Sequence, residues 1–488
     1  MRKTTKKVIC TVMFVCCALL CACQKAPERN AVISKNDGSF DAALVQPAAD
    51  ATQWKDGVID YDRLFYSTDG SVEFKLSINK MMQSEKTPVI EVAPHYLSSE
   101  DAKNIAHALF GNQNIYEARS AVVPNYSKDE ILAKINRWSQ FTSEERLAEL
   151  VGKQNVFSWR IDIIKTFVTN YTEMYESASE TSTLKQCDWT FKKNSYYWAT
   201  PEDLSSRDLS NDNDTIACEI KVGEIGYFFD ASTRNKKDFK LNNVSVYLYD
   251  GVSPDMIDET IFRAQLCRTE APTDAQIDNI KDKAHRMLTE MKLGEWHIDE
   301  CYVETRYIDG TPEYSIHVSA VPCFSDVVAL RHPQLSNLKS TEVYASNYYL
   351  TDAQFEFSAN GDIVSFYLFS PVDIKETISP NANVMNLDSL VEIAINHLTN
   401  SDASHYGVLY DKPPEEITCV VNITDCEYGL TRVKVPNSDE SYYYVPGIMF
   451  KGQIQHIGKE SGTLYFEKDN MPIVTLNGID GTIVRNYS

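Results

Sequence analysis

The chain has 488 residues, room for about three domains, and its 43% hydrophobic and 11% aromatic content excludes global disorder. The formal charge of −22 excludes a nucleic-acid-binding role and favours solubility or cation binding. No segment after residue 23 is long and apolar enough to span a membrane as a helix.

The first predicted element is an export signal. Arg2, Lys3, Lys6 and Lys7 precede an apolar run from Val8 to Ala22, which at 15 residues falls short of the ~20 a membrane-spanning helix needs. Leu20-Cys21-Ala22-Cys23 then has the form of a bacterial lipobox. This stretch resembles the signal of bacterial lipoproteins. The resemblance implies that residues 1–22 are a signal peptide, that Cys23 carries a diacylglyceryl group, and that the membrane is a partner through that anchor. Two acyl chains, at ~0.8 kcal/mol per buried methylene, hold a protein stably where one would not. The expected location is the outer face of the cell membrane, facing the periplasm if the source has an outer membrane. Removal of the signal takes four positive charges with it and leaves −26.

Residues 23–53 read as a lipidated flexible tether of Ala, Pro, Asn, Asp and Ser. A flexible chain of ~30 residues stands a folded body off the membrane by roughly 30 Å. Residues 54–265 read as an α+β N-terminal domain, helical first and antiparallel strands after. Val72, Phe74, Leu76 and Ile78 alternate as in a half-buried strand. Ser98 with Asp101, Ser127 with Glu130 and Thr142 with Glu145 mark helix starts, and Gly111 and Gly152 mark stops. Helical spacing runs from Val156 to Tyr175, and short strands follow between Asp188 and Tyr249.

The second half reads as two similar helix-plus-antiparallel-sheet modules, 266–375 and 376–488. Thr273 with Gln276 opens a helix with Ile277, Ile280, Ala284, Met287, Leu288 and Met291 on one face. Strands are expected at 296–307, 314–321, 355–357 and 363–369, turning at Asp309-Gly310 and Asn360-Gly361. In the second module Asn386 opens a helix through Leu390, Val391, Ala394, Ile395 and Leu398. Strands are expected at 417–425, 430–435, 442–450, 464–466, 473–476 and 482–484. The helices are offset by 113 residues, Ile277 to Leu390. Tyr444-Val445-Pro446 and the stretch Pro472–Val484 resemble the end of PepSY-type domains, helix-plus-sheet modules of secreted propeptides and extracytoplasmic regulators. Ile105–Gly111 and Tyr116-Glu117 are similar to an uncharacterised clostridial-type lipoprotein family with no assigned activity.

Catalytic signatures are absent: HExxH, GxSxG, a P-loop and GxGxxG after a strand do not occur. SxxK occurs at Ser77, Ser182 and Ser336, without a Lys-Thr-Gly partner. The nine His are scattered, with His107 and His397 on amphipathic helices. Seven Cys after residue 23, widely spaced and without CxxC, indicate neither zinc nor a disulfide framework. If Asp309-Gly310 is a two-residue turn, Cys301 faces His317 or Val318 and not Cys323.

One metal-ligating pattern stands out. Asp208, Ser210, Asp212, Asp214 and Glu219 occupy positions 1, 3, 5, 7 and 12 of a calcium-loop template, which would make calcium a cofactor. Asn213 stands where the template wants Gly, and Ile216–Val222 reads as a strand. Tyr196-Tyr197-Trp198, Tyr348-Tyr349 and Tyr442-Tyr443-Tyr444 are candidates for stacking on sugars or peptides. The sequence thus points to a non-enzymatic binding or regulatory protein at the cell surface, with a protein, peptide or glycan partner. Glycan or peptide capture and hydrolysis are the alternatives.

Overall fold

The computed structural model describes residues 57–82, 86–118, 126–151, 158–181, 184–193, 214–223, 225–233, 242–248, 263, 266–267, 269–308, 311–331, 351–401, 406, 415–435 and 441–486. In chain order the strands are β1 (Gly57–Tyr66), β2 (Val72–Met82), β3 (Val89–Pro94), β4 (Ile115–Glu117), β5 (Lys192–Lys193), β6 (Asp214–Val222), β7 (Ile225–Thr233) and β8 (Asn243–Leu248). They continue as β9 (Trp296–Ile308), β10 (Thr311–Phe324), β11 (Val327–Val328), β12 (Asp352–Ser358), β13 (Ile363–Phe369) and β14 (Val372–Ser379). The last four are β15 (Ile417–Lys434), β16 (Tyr442–Gly458), β17 (Leu464–Asn477) and β18 (Ile483–Asn486). The helices are α1 (Ser99–Phe110), α2 (Lys128–Trp138), α3 (Glu144–Val151), α4 (Ser158–Tyr175), α5 (Asp274–Met291) and α6 (Leu387–Thr399).

The fold is mixed and strand-rich, with two mainly antiparallel sheets. A helical N-terminal region is not found: β1, β2 and β3 precede α1, because the alternation seen at Val72–Ile78 extends to both neighbours. The chain divides into two compact units, each discontinuous in sequence. One holds residues up to 83, 383–426 and 450–488; the other holds 84–382 and 427–449. The boundaries expected at 265/266 and 375/376 both fall inside the second of these.

That larger unit is built on a sheet in the order β11-β10-β12-β13-β8-β7-β6-β4, with β9 on β10 and β5 on β6. Two meanders, β9-β10-β12-β13 and β4-β6-β7-β8, meet through the antiparallel pair β13–β8. A helix precedes each, and these two helices, α1 and α5, pack on each other. Their apolar faces, Ala102, Ile105 and Leu109 on one and Ile280, Ala284, Leu288 and Met291 on the other, share a core with the sheet. From the sheet come Ile216, Cys218, Phe229, Val246, Ile316, Val318, Phe355 and Phe366. Capping boxes open both helices, with Asp101 reaching back to Ser98 and Gln276 to Thr273. Gly111 closes α1 with φ +73°, while α5 ends on Lys292 in the left-handed conformation, two residues before Gly294.

Helices α2, α3 and α4 have a smaller core around Trp138, Leu147, Ile161 and Ile164. Ser127 caps α2 as expected. The cap of α3 is Ser143 and not Thr142: the Ser143 hydroxyl accepts from Arg146 N at 3.4 Å, and the Thr142 hydroxyl donates to Ser139 O. A third apolar cluster joins Ile90 and Val92 of β3 to Phe324, Leu430, Tyr442 and Tyr444.

In the smaller unit the strand order is β1-β2-β15-β16-β17-β18, with one parallel pairing, β2 to β15. Val72, Phe74, Leu76 and Ile78 are buried, and Tyr61, Arg63 and Phe65 stand beside them on β1. Helix α6 lies over this face, where Arg63 pairs with Glu392 at 2.6 Å and Tyr61 donates to Asp388 at 2.6 Å. The Asn386 side chain caps α6 by accepting from Ser389 N at 2.8 Å. The two strands expected at 417–425 and 430–435 are one continuous strand, and likewise 464–466 and 473–476. At Gly452 a Cβ would meet Asn422 O at 2.0 Å, so only glycine lets these strands approach. Leu398 is 1% exposed and Ile395 only half-buried. Leu398→Ala is therefore expected to cost about 2–5 kcal/mol of stability and Ile395→Ala clearly less, as read by chemical denaturation.

Candidate functional site

Strand alternation gives the large sheet two unlike faces. On β10, Ile316, Val318 and Ala320 point into the core under α1 and α5, so Ser315, His317 and Ser319 point the other way. Register extends this second face across the sheet. His317 lies opposite Tyr302 on β9 and Glu356 on β12; Ser315 lies opposite Glu304, and Glu313 opposite Arg306. Glu356 in turn faces Ser365 of β13.

Polar groups converge here. His317 Nε2 is 3.0 Å from Glu304 Oε2, 3.7 Å from Glu356 Oε1 and 3.1 Å from Ser315 Oγ. Arg263 reaches the same atoms: its guanidinium is in ion-pair contact with Glu356 Oε1, donates to Ser315 Oγ at 2.9 Å, and lies 3.5 Å from Glu304 Oε2. Arg306 donates to Glu304 Oε2 at 3.0 Å, and Ser365 Oγ donates to Glu356 Oε2 at 3.3 Å. The Tyr302 ring stacks on His317, centroids 5.1 Å apart and planes 9° from parallel. Arg263 and Glu356 are almost wholly buried, whereas Tyr302 is 48% exposed, so the cluster opens towards β9.

Burial tends to raise the Glu304 carboxyl, but hydrogen bonding and charge from Arg306 and His317 outweigh it and hold the group below the usual range. Burial pushes the Tyr302 phenol up, with Glu300 and Glu304 adding to the effect. The neighbouring Cys267 thiol is pushed up to about 12, mainly by burial, which leaves it an inert thiol.

Chemically, the arrangement is not a nucleophilic triad. A Ser/His/acid relay uses one ring nitrogen for the hydroxyl and the other for the carboxylate. Here Ser315 and both glutamates address Nε2 alone. What the geometry does provide is three ligand atoms, from Glu304, His317 and Glu356, within 4.8 Å of one another.

Other groupings offer less. His95 bridges Asp373 at 2.8 Å and Asp101 at 3.1 Å, but Asp101 is already committed to the α1 cap. A cavity of about 260 Å³ beside the end of α1, lined by Lys103, His107, Gln113 and Trp189, is smaller than most small-molecule sites. His456 is buried and donates towards Tyr406 O at 3.2 Å, and desolvation lowers its pKa.

The calcium template does not assemble among the described residues. Asp214 and Glu219 both lie on β6, five residues apart, so they point to opposite faces of an extended strand. Glu219 is 1% exposed and 3.9 Å from Lys221. Asp208, Ser210 and Asp212 lie outside the described residues, as do Cys23 and the Tyr196 and Tyr348 clusters. Tyr442, Tyr443 and Tyr444 are all buried, including Tyr443, so they offer no stacking platform. Ser77 and Lys80 are three apart on β2 and face opposite sides, and Lys80 pairs with Asp425 at 2.7 Å. The turn-based register for Cys301 holds: it faces Val318, and the seven described cysteines are free.

No protein-family model matches the chain, and no curated protein matches it. Among solved structures it is similar to an uncharacterized protein from Eubacterium rectale, at 9% identity over 91% of this chain and 98% of that chain, with a TM-score of 0.37. At that score the likeness says nothing of function.

The same sheet face carries a testable electrostatic burden at Asp230 on β7. Burial raises its carboxyl to about 6, against a smaller opposing effect from Ser232. A folded-state value above the unfolded one means stability is lost as pH rises from about 4 to 6. Asp230→Asn should therefore raise the melting temperature at pH 7–8, by the equivalent of about 1–3 kcal/mol. The gain should vanish below about pH 4, where Asp230 is protonated in both states. Melting curves across that range check both the sign and the window.

Proposed function

We propose that the protein is exported, lipidated at Cys23 and held on the outer face of the cell membrane, where its folded units bind a partner. The observation that carries this reading is Leu20-Cys21-Ala22-Cys23 at the end of a short apolar run. Among the described residues no helix is long and apolar enough to cross a membrane, and in this reading the lipid supplies the attachment.

Within the reading, the folded part consists of related helix-plus-sheet modules of the kind found in PepSY-type domains. Helix α5 followed by β9, β10, β12 and β13, and α6 followed by β15, β16, β17 and β18, share one plan: a helix, then four strands paired in sequence order. Helix α1 followed by β4, β6, β7 and β8 has the same order, with α2 to α4 inserted after its first strand. A binding role is favoured over hydrolysis because His317 presents a single nitrogen to all its acidic neighbours.

Cys23→Ala tests the anchor. The variant should lose labelling by a fatty-acid analogue and move from the membrane fraction to the medium or periplasm. Retained labelling and membrane association would refute lipidation at this residue.

A further inference from the structure

We propose that Glu304, His317 and Glu356 form a binding site for one divalent transition-metal ion of the zinc class. Nitrogen and oxygen ligands to zinc stand about 2.0–2.2 Å from the metal, which places neighbouring ligand atoms about 3.3–3.6 Å apart in a tetrahedron. His317 Nε2 is 3.0 Å from Glu304 Oε2 and 3.7 Å from Glu356 Oε1, and all three ligand atoms lie within 4.8 Å of one another, so small side-chain movements bring them to the spacing of a coordination shell. One imidazole and two carboxylates suit zinc or its neighbours better than calcium, which takes six to eight oxygens.

A second observation points the same way. Glu356 is 7% exposed, and its Oε1 accepts no hydrogen bond; Arg263 Nη1 touches it without aiming an N–H at it. Arg263 supplies the cation that a buried carboxylate needs, but the hydrogen-bonding capacity of Oε1 that it leaves unused is open to a metal ion. Charge leaves room for one. Glu304, Glu313 and Glu356 face Arg263 and Arg306, so these five groups carry one negative charge in excess. A divalent ion takes them from −1 to +1, no further from neutrality than before.

The ion must compete with Arg263, and this gives the proposal its sharpest consequence. Arg263 withdraws from Glu356 Oε1 when the metal enters and keeps its hydrogen bond to Ser315 Oγ. His317 binds the ion through a proton-free Nε2. Tyr302, stacked on the ring, holds the imidazole plane in place.

The test uses the full chain purified in detergent, stripped with chelator and titrated with zinc chloride. One zinc per chain should bind with micromolar or better affinity and raise the melting temperature. His317→Ala and Glu356→Gln should each weaken binding ~100-fold, and Arg263→Gln should tighten it ~10-fold by removing the competing cation. Should a variant fail to fold, cobalt chloride on the parent chain gives a separate readout: visible absorption bands that zinc abolishes. Absence of stoichiometric zinc uptake and of cobalt bands, or uptake that survives His317→Ala unchanged, would overturn the site.

Discussion

The large sheet depends on how its second face disposes of charge. One face is apolar and covered by α1 and α5, and burial there stabilises at ~25 cal/mol per Å² of apolar surface. The alternation that makes this face also sends Ser315, His317, Glu304 and Glu356 to the opposite side. Glu356 is nevertheless nearly as buried as the core. Its charge is tolerable because Arg263, also buried, comes to meet it. Losing either partner would leave an unpaired buried charge, whereas an apolar pair of similar volume would serve stability as well. Such a pair contributes little to holding the fold together, and its presence calls for another purpose.

The rest of the larger unit is consistent with a scaffold for that face. Two meanders joined through β8 and β13 make a broad platform, and the pairing of β9 with β10 places Tyr302, Glu304 and Arg306 at its margin. The half-exposed Tyr302 and Arg306 give solvent and solutes access from the β9 side, while Arg263 and Glu356 remain sheltered. In the smaller unit the polar contacts are of another kind. Arg63–Glu392 and Tyr61–Asp388 are exposed links between α6 and β1, and pairs of that sort contribute about 0–1 kcal/mol.

Much of the local structure was legible in the sequence. Ser98 with Asp101, Ser127 with Glu130, Thr273 with Gln276 and Asn386 each marked a helix start, because a cap is a short-range bond between residues three apart. Strand β13 could be read to the residue from its apolar run between Gly361 and Ser370. Turns were harder: the break expected between 425 and 430 does not occur, and Gly429 lies within β15, where its bare Cα lets Val328 O come within 2.7 Å of a Cβ position. Of the calcium template only Asp214 and Glu219 are among the described residues, and β6 turns these two apart, because spacing along the chain says nothing about pleat.

The candidate site was half legible. The turn expected at Asp309-Gly310 predicts the register that sets Cys301 opposite Val318, and the same register sets Tyr302 opposite His317 and Glu304 opposite Ser315. Polar alternation at Ser315, His317 and Ser319 was the signal for a second face. Glu356 and Arg263 could not be found this way, since no short turn connects β12 or Arg263 to β10 and only the folded sheet sets their register.

The central claim is that the charged cluster serves binding and not stability. Chemical denaturation of the metal-free chain tests it most directly, comparing Arg263→Met, Glu356→Leu and the double variant. Each single change should cost about 3–5 kcal/mol, and the double variant should return to within about 1 kcal/mol of the parent. A double variant that loses the sum of the two single effects would contradict the claim and make the pair a structural necessity.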